Sequence, residues 1–398
     1  MTRSVAQLLV LNPIQSSLTY RSSTRTRLEV GLLRGGGVFE VTPPGRHKQR
    51  SVAVRCSSSV VNDEAEPAVA RRSDANYTDC AWDYDYIQSS TRNEYLGEGF
   101  KKMQRDEMKQ QVFDMLGCIS EHTEQLELIN DLKRLGVAYH FETEIKTILS
   151  RTYYRNYVFD ENWVDADLHS TALACRLFRQ HGYAVPQDVF IPFLDDAGKF
   201  KSSLCADIKG LISLYEASYL STEGEAIMEE AQAFATANLS KVNKLADAYL
   251  DVLSARALDM PLHWRTDRSE ARWFIEQAYE KKPDMSPLLL QFAKLDYNIE
   301  QAKYLEELRD LARWWKKLGF KKDLSFARDC LMVSYLWGII ASPDPQYEAC
   351  RKALTKIIAI VCTIDDIYDI YATLEEVELF THAFHRWDMN SMEQLPFI

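Results

Sequence analysis

The sequence predicts an all-α protein, and three observations support that prediction. From Glu94 onward apolar residues recur at helical spacing, whereas the alternation typical of strands is nearly absent. Glycine is scarce after Gly45, since only ten of the chain's fifteen glycines lie in the remaining 353 residues. Proline and glycine also stand where helices of about ten to thirty residues would begin and end. Helices packed together commonly enclose a small-molecule site.

Residues 1–62 differ in composition from the rest of the chain. The first 58 hold eight arginines and one lysine against two glutamates, and serine and threonine are frequent. A basic, hydroxyl-rich and acid-poor leader predicts an organelle transit peptide, whereas the apolar run from Leu8 to Leu11 is too short for a secretory signal. A disordered tail without a targeting role and import into mitochondria are the alternatives. Residues 63–82 are interpreted as a linker, which opens with an acidic stretch at Asp63.

In the helical part, residue spacing predicts an apolar stripe, and serine, proline and glycine predict where helices begin and end. One predicted helix buries four leucine and isoleucine side chains at i, i+3 spacing, namely Leu126, Ile129, Leu132 and Leu135. Gly182 ends a second helix. Ser286, Pro287 and Gly319 predict one long helix with a serine cap, a proline in its first turn and a glycine at its end. Residues 342–345 contain two prolines and predict a further break.

Net charge, hydrophobicity and cysteine spacing argue against several classes of function. The net charge of −11 argues against a nucleic-acid partner, and no apolar run is long enough to span a membrane. The eight cysteines form no C-x-x-C pair and are not spaced from histidine as in a zinc site. They are therefore expected to be reduced thiols.

Three aspartates, Asp365, Asp366 and Asp369, form the most informative motif. On a helix each residue turns by about 100°, so the three carboxylates fall within an arc of roughly 100°. Close carboxylates favour a cation between them, and their oxygens suit Mg²⁺, with Mn²⁺ as an alternative. A solvated acidic face is the competing interpretation. The preceding turns are expected to be buried, which favours the metal site; their apolar residues are Ile357, Ile358, Ile360, Val361 and Ile364.

An ordered set of stretches resembles the plant terpene synthases, specifically the monoterpene synthases of flowering plants. The resemblance runs nearly unbroken from Arg71 to Ile398. A lone D-D-x-x-D motif would be weak, whereas the ordered set is specific. The matching stretches are Arg71 to Ser73, Trp82 to Ser89, Arg179 to Tyr183, Leu214 to Tyr219, Leu262 to Arg265, Glu270 to Phe274, Leu324 to Asp329, Asp365 to Asp369, Trp387-Asp388 and Gln394 to Pro396.

The resemblance implies two all-helical domains and a plastid protein of the chloroplast stroma. Residues 83–265 would form an amino-terminal helical barrel without a catalytic metal. Residues 270–398 would form a class I terpenoid synthase bundle, incomplete because family members continue past Ile398 into a second metal motif. An incomplete bundle would leave apolar helix faces uncovered, which predicts association through them.

The implied activity is that of a carbon–oxygen lyase acting on geranyl diphosphate. Mg²⁺-dependent loss of diphosphate would leave an allylic cation, which cyclises or loses a proton to give a monoterpene. The resemblance assigns Mg²⁺ to Asp365, Asp366 and Asp369, the diphosphate to Arg328, and a contact with the cation to Trp337. A surface ion pair is the plainer interpretation of Arg328, and a core position that of Trp337.

Arg71 and Arg72 resemble the arginine pair that caps the site and helps to isomerise the substrate; otherwise they are the end of the basic leader. Nine residues separate them from Trp82, where the family has eight. Cys330 stands where the family usually has the second arginine of Arg-x-Arg, and loss of a charged donor there would cost about 3 kcal/mol, or ~100-fold in rate.

Three other interpretations stay open. A sesquiterpene synthase would use farnesyl diphosphate, and a trans-prenyltransferase would normally show two aspartate-rich motifs in a single domain. The third is an inactive truncated fragment or regulatory relic, supported by the chain's end and by Cys330. The product is not predicted, although an apolar Ile358 where related synthases often carry asparagine disfavours capture of water.

Overall fold

The structure, a computed structural model, describes residues 83–89, 95, 99–155, 167–242 and 244–386. These residues form helices joined by short loops, and among them the sole β-type pairing is an isolated bridge between Leu194 and Phe200. The predicted all-α class is confirmed. The six cysteines within this part of the chain are free thiols. The predicted leader and linker, with Arg71 and Arg72, lie outside the described residues.

Ile87 of the first helix belongs to a second apolar cluster, whereas the next seven helices surround one large apolar core. Central to it is α6, which has nine of its eleven residues buried and packs between α5 and α7. The stripe predicted on α3 is confirmed, since its four side chains are at most 1% exposed. The helices are α1 Tyr84–Ser89, α2 Gly99–Cys118, α3 His122–Arg134, α4 Glu142–Tyr153, α5 Leu168–Gln180, α6 Ile208–Ser218, α7 Ala226–Leu239 and α8 Ala248–Asp259.

Capping residues fix where these helices begin and end. The Glu121 carboxylate accepts hydrogen bonds from the first backbone amides of α3, and Asp167 accepts one from Ser170 N at 2.7 Å at the start of α5. Gly182 follows α5 with a φ of 81°, a left-handed conformation that glycine adopts without strain. The predicted stop of this helix is therefore confirmed.

The second half of the described chain contains six further α-helices, and two π turns follow two of them. Their bounds are α9 Asp267–Trp273, α10 Pro287–Leu318, α11 Phe320–Asp323, α12 Leu331–Ala341, α13 Glu348–Asp366 and α14 Leu374–Arg386. The π turns are Phe274–Ala278 and Ile367–Tyr371. Short 3₁₀ turns are Ala138–Phe141, Gln187–Phe193, Ser202–Ala206, Leu262–Trp264, Tyr279–Lys281 and Pro345–Tyr347. None of the described helices is both long and apolar enough to cross a bilayer.

The 32-residue helix α10 matches its prediction at both ends. The Ser286 hydroxyl accepts from Leu289 N at 3.4 Å, Pro287 occupies the first position, and Gly319 follows the helix with a φ of 76°. The first part of α10 packs into the large core, and its second part packs against α12. The helix therefore connects the large core with the elements that carry the aspartate motif.

Helices α12 and α13 run antiparallel and approach each other closely at Gly338. A Cβ atom there would lie 3.0 Å from Arg351 O and 3.0 Å from Thr355 Oγ1, so no larger side chain fits without a shift. Buried Arg351 anchors α13 to α10 through a two-pronged ion pair with Glu307, at 2.7 and 3.0 Å.

The expectation that the turns before the aspartate motif are buried is wrong for three residues. Ile357, Ile360 and Val361 are 58%, 37% and 56% exposed, and Ile358 and Ile364 are only half-buried. The opposite face is buried instead, and its residues are Arg351, Thr355, Ala359, Thr363 and Asp366. That face is stable inside the protein because each threonine hydroxyl donates to the carbonyl four residues earlier and Arg351 is paired.

Candidate active site

One line of side chains on α13 changes from apolar to anionic along the helix. Ile357, Val361 and Asp365 follow each other at i, i+4 and i+8, so they lie on the same exposed face. The Asp365 side chain is 57% exposed. The carboxylate is therefore placed at the end of an apolar strip and is open to a ligand.

Helix α12 adds a second apolar strip beside the first. Val333, Trp337 and Ile340 recur at i, i+4 and i+7 and are 36%, 58% and 40% exposed. Helices α12 and α13 pack side by side. Their exposed apolar residues are together called the apolar face: Val333, Trp337, Ile340, Ile357, Ile360 and Val361. Exposed apolar side chains grouped on neighbouring helices mark a candidate ligand or interaction site.

Within the motif, Arg328 makes its shortest contacts with Asp366. The backbone N–H of Arg328 donates to Asp366 Oδ2 at 2.7 Å, and its side-chain Nε donates to Oδ1 at 2.8 Å. The Arg328 Nη2 atom lies 2.6 Å from Asp366 Oδ1 and 3.3 Å from Asp365 Oδ2. Asp366 is only 1% exposed. Asp366 is therefore engaged by Arg328, whereas the side chains of Asp365 and Arg328 are 57% and 39% exposed.

Asp369 lies in the π turn that follows α13, and its side chain is exposed. Since a π turn closes its hydrogen bonds over five residues instead of four, Asp369 does not take the position assumed for a continuous α-helix. Within the described residues, no three His, Cys, Asp or Glu side chains are grouped so that they could hold one metal ion. The two open carboxylates of the motif are thus Asp365 and Asp369.

The loop before α12 is fixed to the π turn by aromatic stacking that the sequence did not reveal. The rings of Phe326 and Tyr371 are 3.5 Å apart and nearly parallel. The Tyr84 hydroxyl on α1 donates to Asp329 Oδ1 at 2.6 Å. Both contacts hold the residues on either side of Arg328. The signal that could have found them is the presence of aromatic residues directly beside the charged motifs.

Cys330 precedes α12 and faces the Cys362 thiol of α13. Burial and the neighbouring thiol raise the pKa of Cys330 to about 12. The thiol is therefore neutral at pH 7 and contributes no charge to the site. Of the predicted site residues, the structure brings together Arg328, Asp365 and Asp366, places Asp369 in the next turn, and puts Trp337 on the adjoining apolar face.

These helices and this site define a class of protein: an all-α protein with an exposed apolar surface that ends in open carboxylates beside an arginine. Two family models match the chain. The terpene synthase N-terminal domain covers residues 81–255, and the terpene synthase family metal binding domain covers residues 316–397. The chain belongs to the terpene synthase family.

Curated relatives and solved structures agree with this assignment. The chain is 48% identical over 336 residues to (−)-α-terpineol synthase of Vitis vinifera, covering 84% of this chain and 56% of that protein. It is 47% identical over 331 residues to chloroplastic myrcene synthase of Quercus ilex, covering 83% of this chain and 55% of that protein. The chain thus spans little more than half the length of these relatives.

Two solved structures share the fold. A limonene synthase with 2-fluorolinalyl diphosphate superposes with a TM-score of 0.77 at 43% identity, covering 82% of this chain and 60% of that one. An isoprene synthase from grey poplar leaves (Populus x canescens), in complex with three Mg²⁺ ions and dimethylallyl-S-thiolodiphosphate, gives 0.70 at 40% identity. That comparison covers 80% of this chain and 58% of the other. The described helices therefore have the all-α fold of the plant terpene synthases.

Proposed function

We propose that the protein binds geranyl diphosphate with Mg²⁺ and promotes its ionisation to a monoterpene, as a terpene synthase. The observation that carries this proposal is the apolar face of α12 and α13, which ends at Asp365 beside Arg328. A prenyl diphosphate has the matching shape, with a hydrocarbon chain at one end and a strongly anionic group at the other.

Asp365 and Asp369 are the carboxylates that would hold the metal. Mg²⁺ commonly uses one or two protein carboxylates and keeps the rest of its shell for water and substrate phosphate. Two exposed oxygen donors one turn apart fit that requirement, and Asp366 is already engaged. When bound, the ion would neutralise charge on the departing diphosphate. This proposal narrows the three-aspartate ligand set expected from the sequence.

Arg328 is proposed to hold the diphosphate, with Asp366 as its positioning residue. The buried Asp366 carboxylate fixes both the backbone and the Nε of Arg328. The guanidinium is 39% exposed, so an anion can approach it from solvent. A prearranged donor loses less entropy on binding than a mobile one.

The apolar face is proposed to contact the hydrocarbon and the cation left after ionisation. The indole of Trp337 offers a π-face that attracts positive charge, while the aliphatic side chains of α13 exclude water. Arg71 and Arg72 remain proposed capping residues. We also propose the domain division at residues 265–270 and import into the plastid.

Binding can be measured without turnover. The chain is titrated with a non-hydrolysable thiolodiphosphate analogue of geranyl diphosphate, with Mg²⁺ and with EDTA, by calorimetry. We expect Mg²⁺-dependent binding that Asp365→Asn weakens about tenfold or more. Glu375→Gln, which removes an exposed carboxylate on α14, is the matched control and should bind like the parent. Equal binding by Asp365→Asn and the parent chain would contradict the proposed site.

Substrate class is tested in a second assay. Geranyl and farnesyl diphosphates are supplied separately and the volatile products are identified by gas chromatography. The proposal expects monoterpenes from the first and little product from the second. A preference for farnesyl diphosphate would assign the protein to the sesquiterpene synthases instead.

A further inference from the structure

A cleft of about 730 Å³ lies among the amino-terminal helices and shares no residue with the candidate active site. Its walls come from the end of α3, from α4 and α5, and from residues 262–270, with Pro343 and Asp344 at one edge. The turn containing Asp344 precedes α13, whereas Asp365 lies near the end of that helix. The cleft is therefore a separate feature of the molecule.

Three buried arginines beneath the cleft share only two carboxylates. Arg134 lies 3.3 Å from Glu216 and 3.1 Å from Glu270, Arg176 lies 3.4 Å from Glu216, and Arg265 lies 2.7 Å from Glu270. All three arginine side chains are at most 5% exposed. The three guanidinium groups carry one more charge than the carboxylates they face. A buried surplus charge is costly unless an anion approaches it.

A fourth arginine does not change this balance. Arg256 also reaches Glu270, at 3.5 Å, but it is paired with Asp259 at 3.2 Å and is partly exposed. Its charge is therefore already matched outside the buried network.

Lys133 adds a further positive charge at the wall of the cleft. Within the described part of the chain, its ammonium makes no hydrogen bond and no ion pair. Burial and nearby Arg176 lower the pKa of Lys133, while Asp267 acts in the opposite direction. Burial and, to a smaller extent, Lys133 lower the pKa of His181. Burial is the larger cause of both shifts, and a neighbouring positive charge is the smaller one.

Acidic residues also line the cleft. They are Glu142, Asp267 and Asp344, and burial raises the pKa of both Asp267 and Asp344. Arg268, another lining residue, is only 6% exposed, and its Nε–H has no acceptor among the described residues. An anion would be repelled by the carboxylates and attracted to Lys133 and Arg176.

We propose that the basic end of the cleft, at Lys133 and Arg176, binds an anionic phosphate group, either inorganic phosphate, diphosphate or a phosphate monoester. The surplus charge of the arginine network attracts such an anion. Lys133 supplies ammonium donors that no ion pair holds among the described residues, and Arg176 lies near it. A phosphate offers several strong acceptor oxygens to these donors.

The test uses the 398-residue chain in EDTA, so that metal-dependent binding at the aspartate motif does not contribute. Inorganic phosphate and pyrophosphate are titrated by calorimetry. The parent chain should bind, and Lys133→Gln should bind about tenfold more weakly or worse. Lys133→Arg should restore binding. Lys102→Gln, which removes an exposed lysine on α2, is the control and should bind like the parent.

Thermal unfolding of each variant shows whether a loss of binding reflects loss of the fold. Because Lys133 makes no ion pair among the described residues, its variants should melt at the same temperature as the parent chain. Absence of binding by the parent chain at millimolar ligand would overturn the proposal. So would equal binding by Lys133→Gln, or binding lost in Asp365→Asn instead. The last outcome would assign the anion to the aspartate motif and leave the proposed synthase function intact.

Discussion

Helices α3–α8 bury their apolar faces, whereas α13, which packs against α12, buries a polar face. In the first region the apolar stripes face inward, as on α3 and α6, and close a core of their own. In the second, α13 turns Arg351, Thr355 and Thr363 inward and leaves Ile357 and Val361 exposed. The difference teaches that an apolar helix face need not be a core face. Where the polar face is fully hydrogen-bonded inside, the apolar one is free for a ligand.

The largest predicted effect is on the free energy of unfolding, and it compares a buried residue of α5 with an exposed residue of α13. Phe178 is fully buried and packs edge-on against Tyr153 and Tyr183. Phe178→Ala should therefore lower the free energy of unfolding by about 3–5 kcal/mol, measured by urea denaturation. Ile357→Ala, on the exposed face, should stay within about 0.5 kcal/mol. Similar losses from the two variants would show that the face of α13 is covered after all.

The second prediction tests whether a buried ion pair stabilises the α12–α13 region, as apolar packing stabilises helices α3–α8. Among the described residues, Arg351→Met leaves the buried Glu307 carboxylate with Tyr335 as its remaining donor, at 3.0 Å. A loss of about 3 kcal/mol or more is expected because an unpaired buried charge is costly. The double variant Glu307→Leu, Arg351→Met removes both charges and should recover much of that loss in the same denaturation experiment. If it recovers nothing, the pair is not the source of the effect.

The sequence predicted the ends of the long helix correctly, but not which face of α13, the helix with the aspartate motif, is buried. Ser286 and Gly319 identified both ends of α10, because caps and stops depend on local backbone chemistry. The buried face of α13 was assigned wrongly, since hydrophobicity alone cannot show that Arg351 meets Glu307 or that Thr355 donates to its own helix. The contact of Asp366 with Arg328 likewise joins segments that are distant in the sequence.

A third effect, on the amino-terminal side, depends on pH. The His169 imidazole, with Lys209, lowers the pKa of Glu127 to about 2, against an ordinary value of 4.5. Because the folded pKa is depressed, this stabilisation is present above pH 4.5 and is lost as the pH falls toward 2. Glu127→Gln should therefore cost about 1–2 kcal/mol at pH 7, allowing for solvent screening, and much less near pH 2. A difference that persists at pH 2 would contradict this cause.

A smaller effect concerns the helix that both regions share. Ser286→Ala removes the side-chain acceptor at the start of α10 and should cost about 1 kcal/mol. Ser286→Asn keeps an acceptor and should cost much less. Thermal unfolding compares the two variants, and equal losses would mean that the cap contributes nothing.

The smallest effect on stability should accompany a change in association. Val361 is 56% exposed, so Val361→Ser should alter the free energy of unfolding by less than about 0.5 kcal/mol. Because it makes the apolar face more polar, it should also reduce any concentration-dependent self-association seen by sedimentation velocity. Unchanged association would place the contact elsewhere on the surface.

The length of α10 has a consequence for how the molecule opens. Its 32 residues extend roughly 48 Å at 1.5 Å per residue, and its side chains enter three successive apolar clusters, with Phe292 in the first, Ile299 in the second and Leu308 in the third. Amide hydrogens near Ile299 can exchange with solvent only when this helix itself comes apart, and that requires clusters on both sides to open. Slow hydrogen exchange at a common rate along α10 would show that the helix unfolds as one cooperative unit.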